Sequence, residues 1–310
     1  MKVFDAAATR AALPFPALID ALRRLFAAGC EVPKRHVHTW GETAGDARVT
    51  SLLMPAWTAQ YYGVKVVNIA PGNAALGLPG LHASYLLHDA RTGVPLALID
   101  GDEITARRTA AASALAASFV ARSDARHLLV VGAGKVAAML PAAYRAVRPI
   151  DTVTVWARSS DKAEAWAEDL RHQGFEARAA VDLATAARQA DIVSCATLAT
   201  APVVLGRWLK AGSHLDLIGS FTPAMREADD DCFVDAALYV DTDEALEKSG
   251  DLLGPLSRGV LAAGDVRGTL AALVRGDAQG RRNDAERTVF KSVGTALEDL
   301  AAAILVVGSS

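Results

Sequence analysis

From residue 127 onward, short apolar runs alternate along the chain with stretches of helical periodicity. The runs read as five strands, separated by polar or amphipathic segments, with a helix over 160–173: His127–Val131, Thr152–Trp156, Glu176–Ala179, Asp191–Cys195 and His214–Ile218. This alternation of strand and helix predicts an α/β fold with a doubly wound parallel sheet.

The first third of the chain has a different pattern, which predicts a small sheet domain. Helical periodicity over Leu18–Ala28 precedes two apolar runs, Arg48–Met54 and Tyr62–Asn68. Two further runs, Leu81–Leu87 and Pro95–Ile99, flank a segment with the composition of a turn and predict a hairpin.

Two more segments have helical character. Thr105–Ala117 is rich in small residues and carries Arg107 and Arg108 in what we predict to be its first turn, where the helix dipole disfavours cations. This placement suggests an anion as partner. Thr288–Leu300 has apolar residues at helical spacing and predicts a helix that returns to the N-terminal domain; a plain terminal core helix is the alternative.

The glycine-rich turn Gly132-Ala133-Gly134-Lys135-Val136-Ala137 carries the first chemical signal. It follows an apolar strand and precedes a helix, so that its bare backbone amides suit a dinucleotide pyrophosphate. Gly132 permits the tight turn and Gly134 allows close approach of phosphate. Similar turns occur in α/β proteins that bind no nucleotide, and the turn alone leaves both interpretations open.

The end of the second strand bears on the choice of cofactor. An acidic residue there would bind the ribose hydroxyls, but this chain has Arg158 and Ser159, which suit a 2′-phosphate and predict NADPH over NADH. Arg158 stacking on adenine or capping a surface turn is the alternative. Thr197 follows the fourth strand and either flanks the cofactor or belongs to an ordinary loop.

Composition narrows the class of protein. A length of 310 residues suits two domains, and 52% hydrophobic residues supply a large core. The formal charge of −3, with scattered basic residues, gives no reason to expect nucleic acid. Three cysteines without metal-type spacing suit a reducing cytoplasm, and the absence of a secretory pattern or long apolar stretch predicts no membrane association.

Seven separated motifs, in order, carry a resemblance to a known family. They are Met54-Pro55, Gly63-Val64-Lys65 with Asn68, Asp89–Gly93, Thr105–Ala111, Gly132–Gly134, Ser249-Gly250-Asp251 and Phe290–Gly294. The chain resembles the ornithine cyclodeaminase and mu-crystallin family. The resemblance implies a homodimer in which residues 1–118 and 285–310 form an α+β dimerisation and substrate domain, around an inserted Rossmann domain over 119–284 that binds NAD(P).

The family performs hydride chemistry on amino or imino acids, which implies a set of basic substrate residues. Lys65, Arg108 and Arg35 match the family's substrate site, where an arginine fork would grip a carboxylate and a desolvated lysine would exchange a proton. His82 is a further candidate proton relay, or a half-buried histidine bonded to backbone. Thr109 and Ser292, within two of the motifs, are expected cofactor contacts.

One position departs from the pattern of an ornithine cyclodeaminase. After the fifth strand such an enzyme is expected to have an aspartate before a proline, and this chain has Phe221 there. Phenylalanine cannot hold the side-chain amine of ornithine, but it suits the methylene edge of a closed ring. We therefore expect a reductase of Δ1-pyrroline-2-carboxylate or Δ1-piperideine-2-carboxylate that yields proline or pipecolate.

Three other activities remain compatible with the resemblance. An ornithine cyclodeaminase would release ammonia from ornithine, and an amino-acid dehydrogenase would oxidise its cofactor in an ammonia-dependent reaction. A binding protein of the mu-crystallin type would bind NADPH without turnover.

Overall fold

The computed structural model describes residues 1–41 and 48–309, which fold as two compact units. The split unit comprises Met1–Arg108 and Thr295–Ser310, and the inserted unit comprises Thr109–Gly294. The division expected from the sequence places the boundaries at residues 118 and 285.

Most strands of the split unit follow one another without an α-helix between them, whereas most strands of the inserted unit are separated by helices or short helical turns. The strands are β1 Lys2–Phe4, β2 His36–Trp40, β3 Val49–Trp57, β4 Tyr61–Ile69, β5 Leu81–Asp89, β6 Pro95–Asp100, β7 His127–Val131, β8 Thr152–Trp156, β9 Glu176–Ala179, β10 Ile192–Cys195, β11 His214–Leu217, β12 Ala236–Val240, β13 Val266–Thr269 and β14 Arg287–Lys291. The helices are α1 Ala6–Ala12, α2 Phe15–Ala28, α3 Gly101–Val120, α4 Leu140–Arg145, α5 Ser160–His172, α6 Leu183–Gln189, α7 Ala245–Lys248, α8 Gly250–Ser257, α9 Leu270–Arg275 and α10 Ala296–Gly308.

The split unit is built on a six-stranded sheet in the order β1-β6-β5-β4-β3-β2. Strands β2 to β6 pair antiparallel with their neighbours, and β1 joins the edge parallel to β6. Helix α10 packs on β3, β4 and α2. Burial of leucines such as Leu18 and Leu22 of α2, each with no exposed surface, contributes about 1.5–3 kcal/mol per side chain.

The inserted unit is built on an eight-stranded sheet in the order β13-β12-β14-β11-β10-β7-β8-β9. Every pair of neighbouring strands in this sheet is parallel. The predicted doubly wound parallel sheet with a second α+β domain is therefore confirmed. The carboxyl ends of β7, β8, β10 and β11 lie along one edge of this sheet and position the candidate cofactor site.

The predicted helix over Thr288–Leu300 is wrong, because a strand and a later helix share that segment. Residues 287–291 form β14, and α10 begins only at Ala296, where the Thr295 side chain accepts a hydrogen bond from the backbone N–H of Leu297. A strand buried on both faces of a parallel sheet is almost continuously apolar, so its pattern resembles a buried helix. Gly294, with φ +76°, turns the chain between the two elements.

The position of Arg107 and Arg108 in the first turn of a helix is also wrong. Helix α3 begins at Gly101, and its first turn carries the acidic residues Asp102 and Glu103. Carboxylates at a helix N-terminus are favourable, and the arginines lie beyond the turn in which the dipole acts most strongly. The dipole argument for an external anion partner therefore does not hold.

A search of the described helices found none with the length and apolar character that a membrane span requires.

Candidate functional site

The inserted unit contains a cavity of about 440 Å³ at the carboxyl ends of β7, β8 and β10. It is lined by the glycine-rich turn and by the loops that follow the other two strands: Gly132, Ala133, Gly134, Trp156, Ala157, Arg158, Ser159, Lys162, Ala196, Thr197, Leu198, Ala199 and Val203. The predicted cofactor residues Gly132, Gly134, Arg158, Ser159 and Thr197 all belong to this lining.

The glycine-rich turn has the shape of a phosphate cradle. Gly132 has φ +121°, and a Cβ at this position would lie 2.5 Å from the carbonyl oxygen of Ala196, so that a larger residue is excluded. A Cβ at Gly134 would meet no atom within 4 Å and would extend into open space. Gly132 thus permits the tight turn beside Ala196, and the bare backbone at Gly134 fits the close approach of a dinucleotide pyrophosphate.

The rim of the cavity beside the carboxyl end of β8 is basic. Arg158 and Lys162 both line the cavity, while Ser159 caps α5 by accepting a hydrogen bond from the backbone N–H of Lys162 at 3.4 Å. None of the described lining residues is acidic. The described lining of this cavity therefore has no acidic side chain that could bind the ribose hydroxyls.

Four expected cofactor contacts are not among the described residues that line the cavity. They are Lys135, Val136, Thr109 and Ser292. Lys135 and Val136 follow the cradle immediately, and a short 3₁₀ turn over Ala137–Met139 separates them from α4.

The split unit contains a buried cluster of four charged side chains. The Lys65 ammonium on β4 donates to Oδ1 of Asp299 at 2.8 Å and to the Thr105 hydroxyl at 3.2 Å. Nε of Arg108 on α3 donates to the same oxygen of Asp299 at 2.9 Å, and its Nη1 donates to Glu298. Helix α10 thus places two carboxylates against two of the three basic residues that we predicted to bind substrate.

The electrostatics of this cluster favour a lysine that exchanges its proton near neutral pH. Burial lowers the pKa of Lys65 to about 8, against the attraction of Asp299, and the positive charge of Arg108 adds to the decrease. For Arg108, Asp299 and Glu298 outweigh burial and raise the pKa above its ordinary value. Although burial opposes ionisation of Asp299 as well, the two cations hold its pKa below the ordinary range.

The register of the six-stranded sheet shows which other predicted substrate residues lie near Lys65. Lys65 pairs with Met54 on one side and with Tyr85 on the other. Arg35 directly precedes β2, whose first residue pairs with Leu53, so that the chain passes beside Met54 there. The sequence-predicted residue Arg35 therefore lies two strands from Lys65.

His82 does not accompany Lys65. It pairs with Asn68, three residues along β4 from Lys65, and successive residues of a strand point to opposite faces. His82 is exposed, whereas Lys65 is 2% exposed. The expectation that His82 faces the substrate site is corrected: it lies on the opposite face of the sheet.

Sequence reasoning missed Glu298 and Asp299. Two adjacent acids interrupt a helix that is otherwise almost entirely apolar from Ala296 onward, and both side chains are fully buried. Charges are almost never fully buried unless they are paired, so this interruption is the signal that was available.

The model of the ornithine cyclodeaminase/mu-crystallin family matches residues 13–309. The chain belongs to this family. The family resemblance inferred from the seven motifs is thereby confirmed.

Relatives in the family include imino acid reductases. The chain is 46% identical over 259 residues to a Δ1-pyrroline-2-carboxylate reductase of Paracoccus denitrificans, covering 83% of this chain and 82% of the relative. It is 34% identical over 311 residues to the enzyme of the same name from Colwellia psychrerythraea, covering 99% and 98%. The structure of the Thermococcus litoralis Δ1-pyrroline-2-carboxylate reductase in complex with NADH and L-proline has a TM-score of 0.93 and 33% identity, covering 100% of this chain and 97% of that chain.

Proposed function

We propose that this protein catalyses the NAD(P)H-dependent reduction of a cyclic imino acid, Δ1-pyrroline-2-carboxylate or Δ1-piperideine-2-carboxylate, to proline or pipecolate. The observation that carries the proposal is the buried pair of Lys65 and Arg108, held by Asp299 in a chain similar over its whole length to reductases of this kind. A nicotinamide cofactor, when bound, supplies hydride to the carbon of the C=N bond.

The residues of the split unit bind the substrate and manage its proton. Arg108 uses Nε and Nη1 for its two carboxylates, so its remaining nitrogen Nη2 is the one we assign to the substrate carboxylate. Lys65, with a pKa of about 8, retains a proton at neutral pH that it shares with the imine nitrogen. A protonated imine has a more electrophilic carbon.

The cluster itself carries no net charge, since two cations face two carboxylates. A substrate carboxylate would make it negative, and we propose that Arg35 provides the compensating charge. In this proposal Lys65 exchanges the proton, Arg108 binds the substrate carboxylate and Arg35 balances its charge.

We further propose that NADPH is preferred over NADH. The two basic side chains at the rim, Arg158 and Lys162, and the absence of an acid from the described lining support this choice, because a 2′-phosphate needs cationic partners. The T. litoralis relative was solved with NADH, and the proposal of NADPH is drawn from this chain's own rim.

A homodimer is supported by apolar side chains on the six-stranded sheet. Trp40, Trp57 and Tyr62 are 50%, 37% and 36% exposed and lie on one face of this sheet, opposite Lys65, and exposed apolar surface of this kind is typical of an interface. Light scattering on the purified protein tests this assembly.

A cytoplasmic location stays a prediction. All three cysteines are free thiols.

The deciding experiment is the loss of nicotinamide absorbance when the protein is mixed with NADPH and Δ1-pyrroline-2-carboxylate, with ornithine plus NAD⁺ run in parallel. Rapid oxidation of NADPH with the imine and no reaction with ornithine is the expected result. Ammonia and proline formed from ornithine would instead identify a cyclodeaminase that works with Phe221 in place of an aspartate.

Lys65→Met tests whether Lys65 supplies the proton to the imine nitrogen. We expect turnover to be abolished while NADPH still binds, because the cavity for the cofactor lies in the other unit. Retained turnover would remove Lys65 from the mechanism.

A further inference from the structure

Glu227 is a fully buried carboxylate, bonded to the cavity-lining residue Thr197, that the proposed reaction leaves without a role. Its Oε1 accepts hydrogen bonds from the backbone N–H and the hydroxyl of Thr197, at 2.7 and 2.8 Å. Its Oε2 accepts from the backbone N–H of Gly219 at 2.6 Å. One carboxylate therefore joins the loops that follow the neighbouring strands β10 and β11.

The loop held by Glu227 forms a wall of the cavity. Five of the lining residues lie between Ala196 and Val203. The backbone carbonyl of Glu227 accepts from the N–H groups of Val203 and Val204, and the N–H of Arg226 donates to Ala199. The segment around Glu227 thus holds this wall at both of its ends.

The same loop touches the phosphate cradle. A Cβ on Gly132 would lie 2.5 Å from the carbonyl oxygen of Ala196 and 3.5 Å from the methyl group of Thr197. On the other side, a Cβ on Gly219 would lie 1.9 Å from the carbonyl oxygen of Thr197 and 2.5 Å from the Glu227 carboxylate. Thr197 therefore has little room to move independently of either glycine.

Two sequence motifs that the proposed mechanism does not use support Glu227. Asp251, in the Ser249-Gly250-Asp251 motif, accepts from the backbone N–H of Glu227 at 2.8 Å. Lys291, in the Phe290–Gly294 motif, lies 3.6 Å from Asp251 and donates to the carbonyl of Leu217 at 2.9 Å. Asp251 thus holds the backbone of Glu227, and Lys291 holds the carboxyl end of β11.

We propose that Glu227 is a positioning residue for the dinucleotide, which in its ionised form holds the Thr197 loop in the shape that binds the cofactor. This inference rests on the cofactor-dependent function proposed above. Because both carboxylate oxygens face hydrogen-bond donors, a proton on either oxygen would oppose a donor and weaken at least one of the three bonds.

Protonation of Glu227 would therefore weaken cofactor binding. Burial raises the pKa of Glu227 to about 7, against the opposing charge of Lys291 and with a smaller contribution from Asp251. The groups that face it are Lys291 from β14, Asp251 from α8 and the thiol of Cys195 from β10, whose own pKa is raised by burial so that it stays neutral. If only the ionised form binds, the dissociation constant rises about tenfold from pH 8 to pH 6.

The test is calorimetric titration of the full-length protein with NADH, which lacks the titrating 2′-phosphate of NADPH. In Glu227→Gln the amide NH₂ must meet either the Thr197 donors or the Gly219 N–H, and we expect the dissociation constant at pH 8 to rise roughly tenfold to a hundredfold. The pH dependence of binding should disappear in this variant. Glu176→Gln, the same change at an exposed position of the same unit, should match the wild type.

Thr197→Val is the second variant, which keeps the shape of the side chain and removes one of the three donors. We expect a smaller increase in the dissociation constant, with the pH dependence retained, and this variant decides the question if Glu227→Gln does not fold. Wild-type affinity and pH dependence in both variants, or a lowered melting temperature alone, would overturn the assignment. A wild-type protein that binds neither NADH nor NADPH would instead overturn the proposed function.

Discussion

Asp299→Asn is the change that most directly tests how the charged cluster sets the proton affinity of Lys65. The carboxylate is fully buried, and one of its oxygens accepts from both Lys65 and Arg108. The substitution keeps the size of the side chain and removes only the charge. Both cations then lose the group that favours their ionised forms.

The separation in the structure gives the size of the effect. Two unit charges 2.8 Å apart attract by about 6 kcal/mol at an effective dielectric constant of about 20. Arg108 shares the same carboxylate, and water entry would reduce the loss further. Even one third of that attraction, about 2 kcal/mol, would lower the pKa of Lys65 from about 8 to about 6.5.

The assay is the pH profile of kcat/KM for Δ1-pyrroline-2-carboxylate between pH 5.5 and 9.5. Activity that needs a protonated Lys65 falls as pH rises through its pKa, so the alkaline limb should move to lower pH in Asp299→Asn. Asp20→Asn, on an exposed position of α2, is the matched control and should leave the profile unchanged. Removing one member of a buried ion pair should also lower the unfolding free energy by about 3–5 kcal/mol.

An alkaline limb that stays at its wild-type position in Asp299→Asn would refute the reasoning. A double-mutant cycle with Lys65→Met gives an independent reading of the same contact. Since the two side chains are bonded, their effects on stability should fail to add by at least about 1 kcal/mol. Additive effects would mean that the contact contributes nothing of its own.

The remaining predictions concern the cavity and the sheet. Arg158→Glu should raise the KM for NADPH at least about tenfold and change that for NADH little, as steady-state kinetics with each cofactor would show; equal effects would contradict the 2′-phosphate assignment. Gly132→Ala should abolish NADH binding in calorimetry, because its Cβ would lie 2.5 Å from the carbonyl oxygen of Ala196. Gly63→Ala should cost about 1–3 kcal/mol of unfolding free energy, since its Cβ would lie 2.0 Å from the Tyr85 hydroxyl oxygen. That hydroxyl is buried without a hydrogen-bond partner in the part of the chain described, so Tyr85→Phe should recover part of the loss in thermal melts; no recovery would contradict a clash at this oxygen.

Local patterns predicted most of the sheet of the inserted unit. The runs at 127–131, 152–156 and 176–179 are strands with the predicted bounds. The run at 176–179 is a partly exposed edge strand, whereas the first two are largely apolar because they are interior parallel strands buried on both faces. The same property caused the error at residues 288–300. There an apolar strand is followed within a few residues by an apolar helix, and the combined spacing resembles a single helix.

Reasoning from local patterns found only part of the candidate site. Lys65 and Arg108 were found through short motifs around each of them. Their partner Asp299 lies 234 residues from Lys65 in the chain, and no local pattern specifies that contact. Glu227 escaped for a related reason, since its bonds to Thr197 and Gly219 depend on the order of strands in the sheet.

The place of β14 in its sheet has a consequence for how the protein is made. In sequence this strand follows the other described strands of its sheet, yet it lies between β11 and β12 in the interior of the sheet. A nascent chain that has emerged only as far as residue 286 has a gap in the middle of this sheet, where the exposed edges of β11 and β12 favour pairing with other chains. The inserted unit can therefore close only after residues 287–291 have emerged from the ribosome, and nascent chains stalled before that point should depend on chaperones to stay soluble.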